Sequence, residues 1–473
     1  MTAPEFFKLL IKSFSHSPNL KQESALQKLS HFLVSKDNEL MFVLKGYAGT
    51  GKTSLIGTIV KSLWHINATP ILMAPTGRAA KVMGNYSNYP AQTIHRKIYY
   101  PKKSSGGKIS FTLQKNKHKN AVFIVDEASM ISDSTLSNTG LLDASLLDDL
   151  IEYVYNGQNC KLLFIGDTAQ LPPVHHNLSP ALDAETLSRQ YHKTVDEIEL
   201  TQVMRQEELS LILENATALR EQIKDGDFAN FQFNKTGKDF IRLVDGYEIM
   251  DAINASYDNK GHEETAIVVM SNKRANIYNE QIRSRILFRE SEIAAGDFLM
   301  VVKNNYFWLK PNSEAGFIAN GDIIEILEIF AVKELYGFRF AEVKVQMVDY
   351  PKMKPFETVI MLDTLQINAA SLPYGQANTL YNEVMKDYAD ESTKYKKFLK
   401  VKNNPYFNAL QVKFSYAMTC HKAQGGQWDT VFIEQPFVRD EVDKEYLRWL
   451  YTACTRAKKQ VYLIGFKNSF FTD

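Results

Sequence analysis

Residues 46–53 read GYAGTGKT, a glycine-rich loop closed by Lys52 and Thr53, and no other stretch limits the possible folds of this chain so sharply. The pattern G-x-x-x-x-G-K-[ST] is that of a P-loop. Gly46, Gly49 and Gly51 permit a tight backbone path whose N–H groups converge on a polyphosphate. Lys52 reaches the outer phosphates, and the Thr53 hydroxyl can join the shell of a magnesium ion. The flanks agree. MFVL (41–44) is a short apolar run of buried-strand type, and Leu55, Ile56, Ile59, Val60 and Leu63 recur behind the loop at helical spacing. The phosphates would therefore face a helix N-terminus with its partial positive charge.

Short β-rich runs continue at PILMA (70–74), AVFIV (121–125) and KLLFIG (161–166), with helical or loop material between them. Such alternation predicts an α/β fold whose parallel sheet is covered on both faces. A second set, AIVVM (266–270), TVFIE (430–434) and QVYLIGF (460–466), predicts a second α/β unit without a P-loop of its own. Two insertions interrupt this plan. Residues 96–118 carry Ser104-Ser105-Gly106-Gly107 between two β-rich arms, a hairpin signal. Residues 290–404 begin with DFLMVV, DIIEILEI, AEVKVQMV and ETVIML, spaced like a small barrel, and end in a charged stretch that reads as one exposed helix.

At 473 residues the chain is too long for one core. Lys plus Arg total 55 against 54 for Asp plus Glu, a balance that neither requires nor excludes a nucleic-acid partner. Three cysteines without a C-x-x-C pair suit a reducing compartment and give no zinc signature. No apolar run reaches the roughly 18 residues of a membrane span. The N-terminal MTAPEFFKLLIKSF is interrupted by Glu5, Lys8 and Lys12, which predicts an amphipathic helix rather than a signal peptide. The expectation is a cytoplasmic protein.

Further motifs sit at strand ends. VDEAS (125–129) offers Asp126 to hold magnesium and Glu127 to polarise an attacking water. GDTAQLPPV (166–174) places Asp167 and Gln170 where they can report a γ-phosphate. VMRQ (203–206) and YTACTRAKK (451–459) each provide an arginine, Arg205 and Arg456, far from the P-loop in sequence. That distance is expected if a second domain supplies positive charge across a cleft. APTGRAAKVM (74–83), with Pro75, Thr76 and Arg78, and TCHKAQGGQ (419–427), with Thr419, His421 and Lys422, are loops of small, hydroxyl and cationic residues. Such loops can approach a phosphate backbone closely.

Taken in order, these segments resemble the signature of superfamily 1 helicases, and most closely the RecD-like branch that includes the Dda and PIF-type helicases. The resemblance implies two RecA-like domains gripping ATP and Mg²⁺ between them, with single-stranded DNA across their top. It implies a first domain of residues 1–95 and 119–200, a strand-separating pin (96–118), a second domain of residues 201–289 and 405–473, and an SH3-like insertion with a helical extension (290–404). Gln22 would read adenine. The loop residues Gly46, Ala48, Gly49, Thr50, Gly51, Lys52, Thr53 and Ser54 would wrap the phosphates. Thr53 and Asp126 would hold the metal, Glu127 would activate water, Gln170 would sense the γ-phosphate, and Arg205 and Arg456 would neutralise the transition state. Where many superfamily 1 proteins place an acid to hold the ribose, this chain has Gln427. DNA contacts would fall on Pro75, Thr76, Arg78, His95, Tyr99, Tyr100, Asn320, Thr419, His421 and Lys422. The implied activity is 5′ to 3′ translocation and unwinding by a monomeric motor at single/double-strand junctions, alongside repair, recombination or replication proteins. Two other readings stay open from the residues: a translocating or remodelling subunit that does not unwind alone, and a small-molecule P-loop kinase.

Overall fold

The computed structural model describes residues 1–103, 109–133, 145–203, 210–228, 231–234, 237–310, 313–437 and 442–472. Its first sheet has six parallel strands, in the spatial order Ala91–Thr93, Thr69–Ala74, Ala121–Val125, Lys161–Gly166, Leu40–Gly46, Thr194–Leu200. The four apolar runs predicted as strands all lie in it. Both faces of Leu40–Gly46 meet core, Phe42 and Leu44 in one cluster and Met41 and Val43 in another, and all four are fully buried. The edge strand Thr194–Leu200 escaped the sequence reading because TVDEIEL carries three carboxylates. Only one of its faces needs apolar residues, and only Leu200 is buried. The predicted N-terminal helix, Ala3–Ser13, buries Phe6 and Leu10 against this domain's core.

A second parallel sheet has the order Ala417–Thr419, Thr265–Val269, Trp428–Glu434, Ala457–Ile464, Phe240–Leu243. Its core includes residues of the first domain. Ala169 and Leu171 from the GDTAQLPP loop pack among Trp449, Leu450, Tyr451 and Cys454. The two domains are thus joined by apolar burial as well as by the cleft.

Phe298–Val301, Ile323–Leu335, Phe338–Met347, Phe356–Met361 and Leu410–Phe414 close into a five-stranded barrel. Alternate residues of its third strand point inward, and Val343 and Val345 are fully buried. The closing strand, Leu410–Phe414, pairs in parallel with Phe356–Met361 and antiparallel with Phe298–Val301. It therefore lies beyond residue 404, where the insertion was expected to end. The charged stretch before it forms two helices, Tyr374–Lys386 and Lys394–Lys402, instead of one exposed helix. Leu380, Val384 and Val401 bury their side chains against Phe340 and Met361 of the barrel. Residues 99–103 and 109–113 form an antiparallel hairpin. Its predicted Ser104–Gly107 turn lies outside the described residues.

Candidate active site between the two parallel sheets

The P-loop strand ends at Gly46, and the chain turns through Gly49 (φ 72°) and Gly51 (φ 87°) before the helix Lys52–Ser62. These left-handed positions favour glycine, and Gly51 is the helix N-cap. Gly46 is needed for close approach: a Cβ there would lie 3.0 Å from Thr50 Oγ1 and 3.1 Å from Lys52 Cγ. The Lys52 ammonium donates to the carbonyls of Gly46 and Tyr47 (2.9 Å), which hold it folded over the loop.

The loop opens onto a cavity of about 1410 Å³ lined from both domains. From the first come Ala48, Gly49, Gly51, Lys52, Thr53, Ser54, Asp126, Glu127 and Gln170; from the second, Gln427 and Arg456. Asp126 ends its strand with both oxygens oriented. Oδ1 accepts from the Glu127 N–H (2.8 Å) and Oδ2 from the Tyr86 hydroxyl (2.6 Å). Glu127 adopts a left-handed backbone (φ 53°), unusual for a non-glycine residue, and this aims its carboxylate across the cleft. Burial raises its pKa against the opposing pull of the Arg456 charge. Arg456, 3% exposed, reaches to 3.8 Å from Glu127 Oε1. Three protein groups orient that guanidinium: Nε donates to Thr452 O (3.0 Å), Nη1 to Gly426 O (3.3 Å) and Nη2 to Thr455 Oγ1 (3.2 Å). Gln170 is buried, and its Oε1 has no hydrogen-bond partner among the described residues. A polar amide end against a polar cavity is placed to meet a ligand.

Other expected site residues make contacts within the protein. Gln22 is 1% exposed and braces the loop instead of lining the cavity. Its Oε1 accepts from Asn19 N (3.1 Å) in a helix-capping box, and its Nε2 donates to Thr50 O (3.0 Å). Tyr99 is buried and its hydroxyl donates to Asp149, so it packs the hairpin onto the first domain; Tyr100 is exposed. His95 packs beside the Tyr99 ring, and burial lowers its pKa to about 4. Arg78 stacks 4.0 Å over the Trp428 ring of the second domain and donates to Glu263 O and Gln427 O, an inter-domain bridge. Arg205 lies outside the described residues.

The remaining candidates gather on one side. Gly425 (φ +72°) lies so close to the first domain that a Cβ would meet Ala79 Cβ at 2.7 Å and Thr76 Oγ1 at 3.2 Å. The two loops of small residues, far apart in sequence, are thereby brought side by side. Thr76 caps its helix through Ala79 N, and Pro75 is half-buried beside it. Thr419 and Lys422 are half-buried and His421 is exposed. Burial lowers the Lys422 pKa to about 8. Asn320 is exposed on a barrel loop, its N–H donating to Asn304 Oδ1 (2.7 Å). Tyr86 and Tyr451 were missed altogether. A lone tyrosine in a helix carries no local signal, and each acts through a partner distant in sequence.

Fold and site together define a two-domain P-loop ATPase. Residues 19–245 match the family model described as AAA domain, and residues 414–464 match the UvrD-like helicase C-terminal domain. The ATP-dependent DNA helicase dda of Enterobacteria phage T4 is 25% identical over 91% of this chain and 95% of its own length. The RecBCD enzyme subunit RecD of Buchnera aphidicola is 24% identical over 95% of this chain and 74% of its own length. A crystal structure of Pif1 helicase from Candida albicans aligns with 96% of this chain at 15% identity and a TM-score of 0.41. The matched family models and these relatives make the chain similar to superfamily 1 helicases of the Dda and RecD kind. Among the described residues no helix is long and apolar enough to cross a membrane.

Proposed function

We propose that this protein is an ATP-dependent DNA helicase that moves 5′ to 3′ along single-stranded DNA and unwinds the duplex ahead of it. The observation that carries the reading is Arg456 of the second domain standing 3.8 Å from Glu127 of the first, across a cavity floored by the P-loop. A cation delivered by one domain to the catalytic carboxylate of the other makes hydrolysis depend on closure. The residues also suit magnesium. A hard cation takes oxygen donors and few protein ligands, and the Thr53 hydroxyl and Asp126 carboxylate both line the cavity beside Lys52. Bound there, the metal would supply charge neutralisation at the phosphates.

In this reading Lys52 and the loop N–H groups hold the phosphates while Glu127 orients water and accepts its proton. Gln170 contacts the terminal phosphate, and Arg456 balances the charge that develops on it. Loss of that phosphate removes one of the ties between the domains, so the DNA-facing loops around Thr76 and Thr419 shift relative to one another. The relative RecD is named as a subunit of a larger enzyme, which supports a second reading as a motor that unwinds only within a complex. Duplexes with a 5′ or a 3′ single-stranded tail test both. ATP-dependent unwinding of the 5′-tailed substrate alone is expected. Single-strand-stimulated ATPase without unwinding of either would favour the subunit reading, and no stimulation would sink both.

A further inference from the structure

Tyr451 sits in the second-domain helix Lys444–Cys454, yet its hydroxyl touches two groups of the first domain. It donates to Asp167 Oδ2 (2.6 Å) and accepts from the P-loop Ala48 N–H (3.0 Å). The ring is 1% exposed and Asp167 is likewise buried at 1%. Asp167 Oδ1 accepts from Ala169 N (2.9 Å), so the carboxylate also shapes the loop that carries Gln170. One hydroxyl of the second domain thus bridges the nucleotide-binding loop and the γ-phosphate loop of the first. The same helix also touches the short helix Cys420–Ala423, beside Thr419, His421 and Lys422: Cys420 Sγ donates to Trp449 O at 3.6 Å.

We propose that Tyr451 is a positioning residue that transmits the state of the DNA-facing segment 419–422 to the P-loop through its bridge to Ala48 and Asp167. This rests on the reading that the segment contacts DNA. When the segment moves, the helix moves with it, and the hydroxyl cannot keep both first-domain partners in an altered cleft. A short hydrogen bond is direction-sensitive, so a small displacement of the helix is enough to release the Ala48 N–H. Freed, that N–H becomes one more donor available to a phosphate. Neighbouring Thr452 also crosses the seam, its Oγ1 accepting from Leu171 N (2.9 Å), but it reaches neither Ala48 nor Asp167. That makes it the natural comparison.

The experiment measures the affinity of the full chain for a fluorescent non-hydrolysable ATP analogue, with and without saturating oligo(dT). The ratio of the two is the coupling factor, which in allosteric proteins is about 5–150-fold. The wild type is expected within that range. Tyr451→Phe keeps the buried ring and removes both hydrogen bonds, and should bring the factor to within about twofold of unity. Thr452→Val should retain most of it. Full coupling in Tyr451→Phe overturns the proposal, as does equal loss in Thr452→Val, which would mean general loosening of the seam. Should Tyr451→Phe fail to fold, Asp167→Ala removes the acceptor from the other side and must show the same loss. A wild type that binds oligo(dT) without any coupling overturns the relay alone, whereas one that does not bind oligo(dT) overturns the DNA reading as well.

Discussion

The first parallel-sheet domain meets the rest of the chain along two seams that are built differently. Towards the second sheet, several hydrogen bonds cross the seam, although Arg448 Nε and Gln170 Oε1 have no partner among the described residues. Thr452 accepts from Leu171 N, Gln424 Nε2 donates to Leu171 O (2.7 Å), Arg448 Nη1 donates to Asn177 O (2.6 Å), and Tyr451 bridges Asp167 and Ala48. Towards the barrel, the seam depends on Arg96 and Asp322, paired at 2.9 Å with side-chain exposures of 6% and 0%. Arg96 Nε and Nη1 and Asp322 Oδ1 have no partners among the described residues. The barrel seam is therefore a buried ion pair only partly satisfied, whose desolvation cost offsets much of its attraction. Arg96 also donates to Phe317 O (3.0 Å) and stacks over the Tyr350 ring, and Lys81 pairs with Asp349 at 3.2 Å, with Lys81 well exposed. The contrast indicates that the chain commits to the seam that surrounds the nucleotide and leaves the barrel seam easier to part.

The largest effect should come from the nucleotide seam. Arg456→Ala is expected to slow hydrolysis by about 10³-fold or more in steady-state ATPase assays. Arg456→Lys should rescue it poorly, because an ammonium lacks the planar fork set by Thr452, Gly426 and Thr455. A loss below about tenfold would reduce Arg456 to a structural ion pair and erase the difference between the seams. Next, Glu127→Gln should cost roughly 10²- to 10⁴-fold in turnover, while a fluorescent nucleotide still binds with near-normal affinity. Near-normal turnover would remove Glu127 from its role.

The barrel seam should respond to pH instead. Burial raises the Asp322 pKa from 3.8 to about 6, against the pull of Arg96 and the Ala319 N–H. The native state therefore holds this proton where the unfolded chain has released it. Asp322's contribution to stability is greatest below pH 4, declines between pH 4 and 6, and is flat above. Against Asp322→Asn, the wild type should lose on the order of 3 kcal/mol across that window in denaturant titrations. A pH-independent difference would mean that Asp322 is ionised throughout and the seam is stronger than its unpaired atoms suggest. The smallest effect is expected away from both seams: Tyr99→Phe should cost roughly 1 kcal/mol of stability through the lost bond to Asp149, with ATPase unchanged. A selective loss of unwinding in that variant would return Tyr99 to the DNA.

Much of this molecule is legible in its residues. The P-loop, the VDEAS pair and Arg456 have their chemistry in a local pattern, and buried strands such as AVFIV and KLLFIG announce themselves by unbroken apolar runs. The residues say least where a contact depends on a distant partner. Gln22, Arg78 and His95 lie in motif-like contexts, but Asn19 and Thr50, Trp428, and burial beside Tyr99 respectively decide what each does. The residues also say little where a strand is closed by a distant neighbour, as Leu410–Phe414 is by Phe298–Val301.

By itself the sequence determined which side chains can handle a polyphosphate, because glycine spacing, a lysine and paired carboxylates act through short-range backbone geometry. Only the tertiary structure decided which tyrosines orient the carboxylates and which charges are buried at a seam. Hydrogen bonds and desolvation are settled by atoms a few ångströms away in space, and those atoms come from residues as far apart as Ala48 and Tyr451.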